Sequence, residues 1–440
     1  MRGTVSLSLL ASALVVNTMA ADDLAGMFKE GKASGQIRAF YINRDFNPGV
    51  DRDGLALGGY LKYETGSYSG LSAGAAFYTT NKLDKESGVA GENDTTLFGP
   101  NGDNETYLGE AYLQYKNGNT TFKAGRQKLD TPMAGSDDAR MLPNLFEAYV
   151  LSNTDVKDTT LIAAHVTKFA AGTFANAYNF AAGSTTGQTL ALTSGYSGVA
   201  GATNYVGSFT NMGEYAIGQN TDGVSVAAAI YSGIPGLKVQ LWDYYAHDIL
   251  NAIYAEANYG WSYGSGIAPY AGVQYIKEDD AGNEYAGKVN SDFIAAKVGA
   301  KIGNCDVSVA LSHNSKDSAA AINGGTITPW GGMPAYTQAM VSRHQFMAGT
   351  DTWKAAAAYD WKETGTNLNT GVYYVSFDMD PLSGYDTLKR AWTASEYGFD
   401  MIYYPQTVKN LQLRFRGNYQ RDYSIGSDRD EYRLIANYNF

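Results

Sequence analysis

Arg414 and Arg416 lie two residues apart in LQLRFRGNYQR. In an extended strand, residues two apart point to the same side. Two guanidinium groups on one face, each a planar fork of donors, can hold a carboxylate and pass it from one to the next. More bases fall on the polar side of other strand-like runs: Arg38, Arg44, Lys62, Lys116, Lys123, Lys238, Lys297, Lys301 and Arg433. The acids on that side are fewer, namely Glu64, Glu110, Glu256, Asp306, Glu396 and Glu431. The chain is nevertheless acidic, with a formal net charge of −11, so its negative charge lies mainly in the connections. One connection organises the rest. The stretch KAGRQKLDTPMAGSDDARMLPNLFE at 123–147 carries Asp130, Asp137, Asp138 and Arg140, and its loop at 127–145 is long for a link between neighbouring strands. Folded into the mouth of a barrel, it would narrow the pore. A basic wall facing such an acidic loop suits a zwitterion or a small organic acid.

Other chemistry is thinly represented. The histidines at 165, 247, 313 and 344 are far apart, with neither an H-E-x-x-H motif nor a Cys/His cluster. No G-x-S-x-G elbow occurs. Asp51-Arg52-Asp53-Gly54 begins like a calcium loop, but the rest of that pattern is missing. No catalytic residue, metal site or cofactor is expected. A hydrolase embedded in a membrane would need a serine and a histidine facing lipid near one rim, and the sequence presents no evident pair. Cys305 is the one cysteine, so no intrachain disulfide can form. The acidic charge argues against nucleic acid as a partner.

The elements that must carry these residues are short runs of period two, separated by Gly, Asn, Asp or Pro. They fall at 36–44, 55–64, 71–79, 107–116, 120–126, 146–152, 160–169, 223–231, 237–245, 251–259, 267–276, 292–302, 305–312, 353–361, 369–377, 396–404, 411–421 and 431–440. The segment 203–210 is also strand-like, but counting it breaks the alternation, so it is placed within a loop. The connections alternate. Short links such as 117–119 and 303–304 take turns with a mostly long class: 45–54, 80–106, 127–145, 170–222, 277–291, 313–352, 378–395 and 422–430. Only 246–250 is short within that class. Such sorting predicts an all-β fold, a transmembrane antiparallel barrel of about 18 strands with periplasmic turns and long external loops. Charged residues make up 18%, yet the mean hydropathy is −0.28, as expected when one face meets lipid and the other water. In 431–440, Tyr432, Leu434, Ala436, Tyr438 and Phe440 should face lipid, with Glu431, Arg433 and Asn437 inward. Tyr63, Tyr115, Tyr359 and Tyr403 suit an interfacial girdle. Residues 1–20, with Arg2, the apolar run 7–16 and small residues at the end, read as a signal peptide; 21–440 form the barrel domain.

Several segments together resemble a known family, the OprD-type porins of Gram-negative outer membranes. RAFYINRDF at 38–46 is similar to that family's opening strand, and SDDARMLPNLF within 125–146 looks like its inserted third loop. AGTDTWKAAAAYDW at 348–361 resembles the strand after its seventh loop. NLQLRFRGNYQRD and DEYRLIANYNF resemble its last hairpin. The resemblance implies an 18-stranded outer-membrane barrel for passive, substrate-preferring diffusion of small, often carboxylate-bearing solutes. It implies a basic wall ladder, with Arg140, Arg414 and Arg416 as the best matches. It also implies constriction by the third and seventh loops, with Trp330, Met333 and Tyr336 of 313–352 near the eyelet. Phe440 resembles the terminal aromatic read by the assembly machinery. Outer-membrane lipid is the other implied partner, and a homotrimer is compatible with this reading. The Arg126-Gln127 pair and the loops at 80–106 and 170–222 depart from the family pattern. A hydrolase barrel and a surface adhesin are the alternatives.

Overall fold

The computed structural model describes residues 21–83, 92–99, 102–174, 206–261, 266–332, 334–384 and 388–440. The expected signal peptide at 1–20 and Met333 lie outside the described residues. The described chain forms a closed antiparallel barrel of 18 strands. The first half comprises β1 (Lys32–Asn47), β2 (Arg52–Glu64), β3 (Leu71–Lys82), β4 (Glu105–Asn117), β5 (Thr120–Gln127), β6 (Leu145–Asn153), β7 (Thr159–Ala170), β8 (Val224–Tyr231) and β9 (Leu237–Ala246). The second comprises β10 (Leu250–Gly260), β11 (Ile267–Asp280), β12 (Asn290–Ile302), β13 (Cys305–Asn314), β14 (Asp351–Asp360), β15 (Leu368–Met379), β16 (Trp392–Tyr403), β17 (Leu411–Ser424) and β18 (Ser427–Asn439). Each strand pairs with its sequence neighbours, and β1 closes on β18 from Gln36 opposite Asn439 to Asn47 opposite Asp428. Closure leaves no strand edge unpaired, the condition for sheet in hydrocarbon.

Period two is what lets one strand face both lipid and lumen. On β18, Leu434 and Tyr438 are exposed outward while Glu431 and Arg433 are buried inward. Tyr63, Tyr115, Tyr359 and Tyr403 are exposed at the short-turn end. Nearer the other rim, Trp353, Tyr374, Tyr397, Tyr419 and Tyr432 follow one another across β14–β18, with successive ring centroids 5.2, 6.5, 5.0 and 5.8 Å apart. Two such belts mark the membrane interfaces.

Several strands run beyond their expected ends. The β1–β2 link is 48–51 rather than 45–54, and β17 and β18 are joined by 425–426 alone, where a loop at 422–430 was expected. Ladder hydrogen bonds use the backbone, so polar strand ends stay paired outside the apolar band, and polarity alone misreads them as loop. At the end of 203–210, a two-residue strand, Thr210–Asn211, pairs with Phe169 and Lys168 of β7.

The lumen is not uniformly wet. Three connections fold inward: loop 3 (128–144), the described part of loop 4 (171–223) and loop 7 (315–350). Met133 and Ala134 of loop 3, Met212 and Tyr215 of loop 4, and Ile327, Trp330 and Phe346 of loop 7 share one buried cluster with Val166, Val224, Trp242, Tyr254 and Phe293 of the wall. The expectation of water along the whole interior therefore fails beside β6–β12. There, in the half of the strands nearer the long loops, the inward positions are apolar and packed like a protein core.

Candidate functional site

Loop 3 spans the lumen because its two ends are fixed to different walls. Its first part is a hairpin, Asp130–Thr131 against Ala134–Gly135. Asp130 accepts from the Ser136 amide at 3.1 Å and from its hydroxyl. Met133 N–H reaches the Tyr244 hydroxyl on β9 at 3.4 Å. The loop then crosses to the opposite wall. Arg38 of β1 donates to both carboxylate oxygens of Asp138, at 2.7 and 3.3 Å, and to the Arg140 carbonyl. Arg140 donates to Glu431 of β18 at 2.9 Å, both side chains being fully buried. Met141 and Leu142 pack with Phe40, Ile42, Tyr78 and Phe98. Asn144 turns the chain back to β6, donating to the Gly135 carbonyl at 3.0 Å.

Loop 7 is anchored by two wall carboxylates. Glu396 of β16 accepts the amides of Met340, Val341 and Ser342, plus the Tyr373 hydroxyl. Glu278 of β11 accepts the Ile327 amide at 2.7 Å. Loops 3 and 7 then lock together. Gly135 N–H donates to the Trp330 carbonyl and Gly332 N–H to Asp137 Oδ1, both at 3.2 Å. Gly332 has φ +89°, and a Cβ there would meet the Pro132 carbonyl oxygen at 2.3 Å, so no side chain fits the approach. Trp330 serves packing rather than a pore lining: it is buried, its indole N–H on the Met212 carbonyl at 3.1 Å. Tyr336 faces the lumen, with Lys297 Nζ 4.3 Å from its ring centre.

Asp137 makes this lock sensitive to pH. Its Oδ2 is closed off without a hydrogen-bond partner. Burial pushes its carboxyl up to about 6; Arg343 and the Gly332 amide act downward, and Asp130 adds to the rise. The locked state therefore holds the proton more tightly than a released loop, whose carboxyl titrates near 3.9. The lock gains stability as pH falls from about 6 towards 4 and loses it as pH rises through 6. Channel recordings should show fewer opening fluctuations at pH 5 than at pH 7.5. Asp137→Asn should show the quiet behaviour at both. A wild-type channel equally noisy at both pH values would contradict the assignment.

The arginines are more heavily paired than a bare ladder would be. Arg44 is buried on Asp94. Arg433 pairs with Glu431 and reaches Asn418 at 3.4 Å. Arg414 grips Asp400 through Nε at 2.8 Å and a second, closer contact. Arg416 lies 3.5 Å from the same carboxylate, and its Nε has no hydrogen-bond partner. Lys62 pairs with Glu64 and Glu110 at 3.3 and 3.2 Å, while Lys123 lies 3.7 Å over the Tyr112 ring. The structure thus collects the predicted residues into three groups. Arg38, Lys62, Lys123, Asp130 and Asp138 line a cavity of about 240 Å³ between loop 3 and β1–β5, together with Lys128 and Glu110. Burial works to raise the Asp138 carboxyl, but Arg38 and Lys128 outweigh it and hold it below the usual range, so it stays ionised there. Arg44, Arg140, Arg414, Arg416 and Arg433 gather around Glu431 and Asp400 on β1 and β16–β18. Lys297 and Lys301 line a separate vestibule on the far wall. Asp137 points at loop 7 rather than into the cavity. Lys128, Glu278 and Asp400 escaped the sequence reading. Only the period-two pattern of β16, which places Asp400 in phase with Glu396, held a signal for any of them.

The fold also assembles a serine–histidine contact that the sequence hides. Ser225 Oγ lies 2.9 Å from His247 Nε2 and 3.1 Å from His165 Nδ1. Ser225 alternates with the buried Val224 and Val226 and so faces outward near the long-loop rim. Among the described residues no carboxylate bonds to either imidazole, so the orienting acid of a nucleophilic triad is not in place.

The family model described as outer membrane porin, OprD family, matches residues 25–440. No curated protein matches the chain. Solved barrels are similar in fold. OpdK of Pseudomonas aeruginosa, solved with vanillate, aligns with TM-score 0.75 at 19% identity over 94% of this chain and 100% of its own. OccK9 (OpdG) of the same organism gives 0.75 at 21%, over 94% and 99%. OccK2 (OpdF), solved in complex with glucuronate, gives 0.72 at 18%, over 94% and 99%.

Proposed function

Because the chain belongs to the OprD family of outer membrane porins, we propose that its lumen prefers small carboxylate-bearing solutes. As a porin it is a passive channel of the bacterial outer membrane. The observation that supports it most is the cavity beside loop 3, where Arg38, Lys62, Lys123 and Lys128 face Glu110, Asp130 and Asp138. A solute passing there exchanges water for fixed ammonium and guanidinium donors on one side. On the other it meets acids already engaged, Asp138 with Arg38, Glu110 with Lys62 and Asp130 with Ser136. Arg414 and Arg416, on the neighbouring wall, add two further guanidinium charges, both leaning on Asp400. Vanillate and glucuronate, the ligands named for two of the similar barrels, are both carboxylates.

The test is the reversal potential of the purified channel in a planar bilayer under a salt gradient. Anion preference is the expected result, and small carboxylates would then be compared for permeation. Cation preference would mean that Asp130, Asp138 and Glu110 set the field, and would overturn the reading. In the same proposal the outward faces contact outer-membrane lipid. Phe440, exposed beside Tyr438 with centroids 6.4 Å apart, presents the terminal aromatic to the assembly machinery. Association as a homotrimer extends the proposal and is read from native mass in mild detergent.

A further inference from the structure

A vestibule opens at the short-turn end of the barrel, on the wall roughly opposite the arginines. Its volume is about 840 Å³, within the range of small-molecule sites. Lys238 of β9, Glu256 and Asn258 of β10, Tyr270 of β11, Lys297 and Lys301 of β12, and Asp306 of β13 line it. Loop 7 roofs it. Tyr336 donates its hydroxyl to Asn258 at 2.7 Å and its amide to Gln274 at 2.9 Å. The roof fits because Gly272 lacks a side chain: a Cβ there would lie 2.4 Å from the Tyr336 hydroxyl oxygen.

The charge arrangement is unusual for a lumen wall. Glu256 accepts from Gln240 at 2.8 Å, Asn258 at 2.7 Å, Tyr254 at 2.7 Å and Gln274 at 2.8 Å. Those four neutral donors occupy the acceptor sites of its carboxylate. Asp306 accepts the Tyr270 hydroxyl at 2.6 Å. Both acids are thus engaged by neutral groups. Neither Lys297 nor Lys301 makes an ion pair or hydrogen bond among the described residues. Lys297 instead lies 5.5 Å over Tyr270 and 4.3 Å over Tyr336. The two lysines share one face of β12, four residues or roughly 13 Å apart along the strand. Gly299 between them leaves room for the Tyr270 ring, which would touch a Cβ at 2.4 Å. The Lys297 ammonium therefore lies over the Tyr270 ring, and Lys301, on the same face of β12, lines the same cavity.

We propose that this vestibule is a second anion site, entered from the short-turn side, that takes small organic ions carrying two or more carboxylates. It stands apart from the cavity beside loop 3 in both wall and accessibility. An ion bound there has to be displaced before traffic resumes, so the site acts as a brake from the periplasmic side.

Citrate added to one chamber at a time, with single channels in a planar bilayer, tests the proposal; acetate is the single-carboxylate control. Citrate is expected to block current from one side at a lower concentration than from the other, and acetate is expected not to block. Lys297→Gln with Lys301→Gln should raise the half-blocking citrate concentration about tenfold on that side alone. Lys297→Arg with Lys301→Arg should keep the block, which separates loss of charge from loss of fold. Arg416→Gln should alter ion selectivity but leave the one-sided block in place, so this inference and the carboxylate-preference reading can fail independently. Equal block from both sides, no block at all, or an unchanged half-blocking concentration in the double Gln variant would overturn the vestibule site.

Discussion

Arg414→Ala combined with Arg416→Ala is expected to shift the anion-to-cation permeability ratio at least about tenfold towards cations, with assembly intact. Both guanidinium groups project into the lumen from alternate positions of β17, and both lean on Asp400 of β16. Removing them deletes two positive charges and leaves the Asp400 carboxylate without its partners. The arginine cluster around Asp400 and Glu431 loses two of its five positive charges. A tenfold change in ratio needs about 1.4 kcal/mol in the relative barriers. Two unit charges at 4 Å interact by about 4 kcal/mol at an effective dielectric constant near 20. Screening by salt takes back part of this, which is why the change is largest in dilute electrolyte. The pairs are partly open to the lumen, so their loss costs folding little. The reversal potential under a salt gradient reads the ratio directly. Adding Asp400→Asn to the double variant should recover part of the anion preference, because the uncovered carboxylate is then gone. A double variant with wild-type selectivity would mean that these arginines do not set the field.

Most of the wall was legible in the sequence, for a physical reason. Lipid outside and polar groups inside impose period two on every strand, so the faces of β12, β17 and β18 follow from side-chain type alone. Alternating loop lengths then fix which end is which. Loop interiors carry no comparable period. Asp130, Asp137, Asp138 and Arg140 read as one acidic constriction with one base, yet each meets a different partner. Asp130 ties its own hairpin, Asp137 meets loop 7, Asp138 meets β1, and Arg140 is buried on β18. Those contacts span sequence separations of up to 291 residues, and no local pattern encodes them. Trp330 fails as an eyelet residue for a related reason: a large aromatic in an inward loop is worth more packed against Met212 than facing water.

The packed side of the lumen gives the inward loops their stiffness. Loops alone pay chain entropy and return little, but loops 3, 4 and 7 bury apolar side chains against one another and against β6–β12. Loop 3 leans on that core at Met133 and Ala134, while its far end is held by charged contacts to β1 and β18 beside Met141 and Leu142 packed on Phe40, Ile42, Tyr78 and Phe98. The constriction is therefore a beam with one apolar bearing and one in which buried charges add to apolar packing. The charged bearing is the weaker point for mutation, because its strength rests on a few buried charges whose partners are irreplaceable in place.

Glu431→Gln attacks that bearing and should have the largest effect on stability and conductance together. Glu431 is fully buried; it accepts from Arg140 at 2.9 Å and also from Arg433. Arg44 stands opposite it across the β1–β18 register, and Arg416 stands opposite Arg433 across β17–β18. One carboxylate thus holds together a set of guanidinium groups that would otherwise repel. Gln keeps the shape but removes the charge, taking from Arg140 the buried carboxylate to which it donates. Breaking a buried pair from one side costs about 3–5 kcal/mol. The barrel wall retains its ladder of backbone hydrogen bonds, whereas the tip of loop 3 has an alternative: it can leave the wall and take Arg140 into water. The expected result is a folded channel with a lower unfolding temperature and a higher, noisier single-channel conductance. Arg140→Met should loosen loop 3 less, since Glu431 keeps Arg433 and Met can pack against Phe40 and Phe174, whose rings lie 6.0 and 5.0 Å from the guanidinium carbon. Glu431→Asp, which keeps the charge on a shorter stem, should fall nearest the wild type. If Glu431→Gln conducts like the wild type, loop 3 is held by its apolar packing alone and the arginine cluster has no part in setting the aperture.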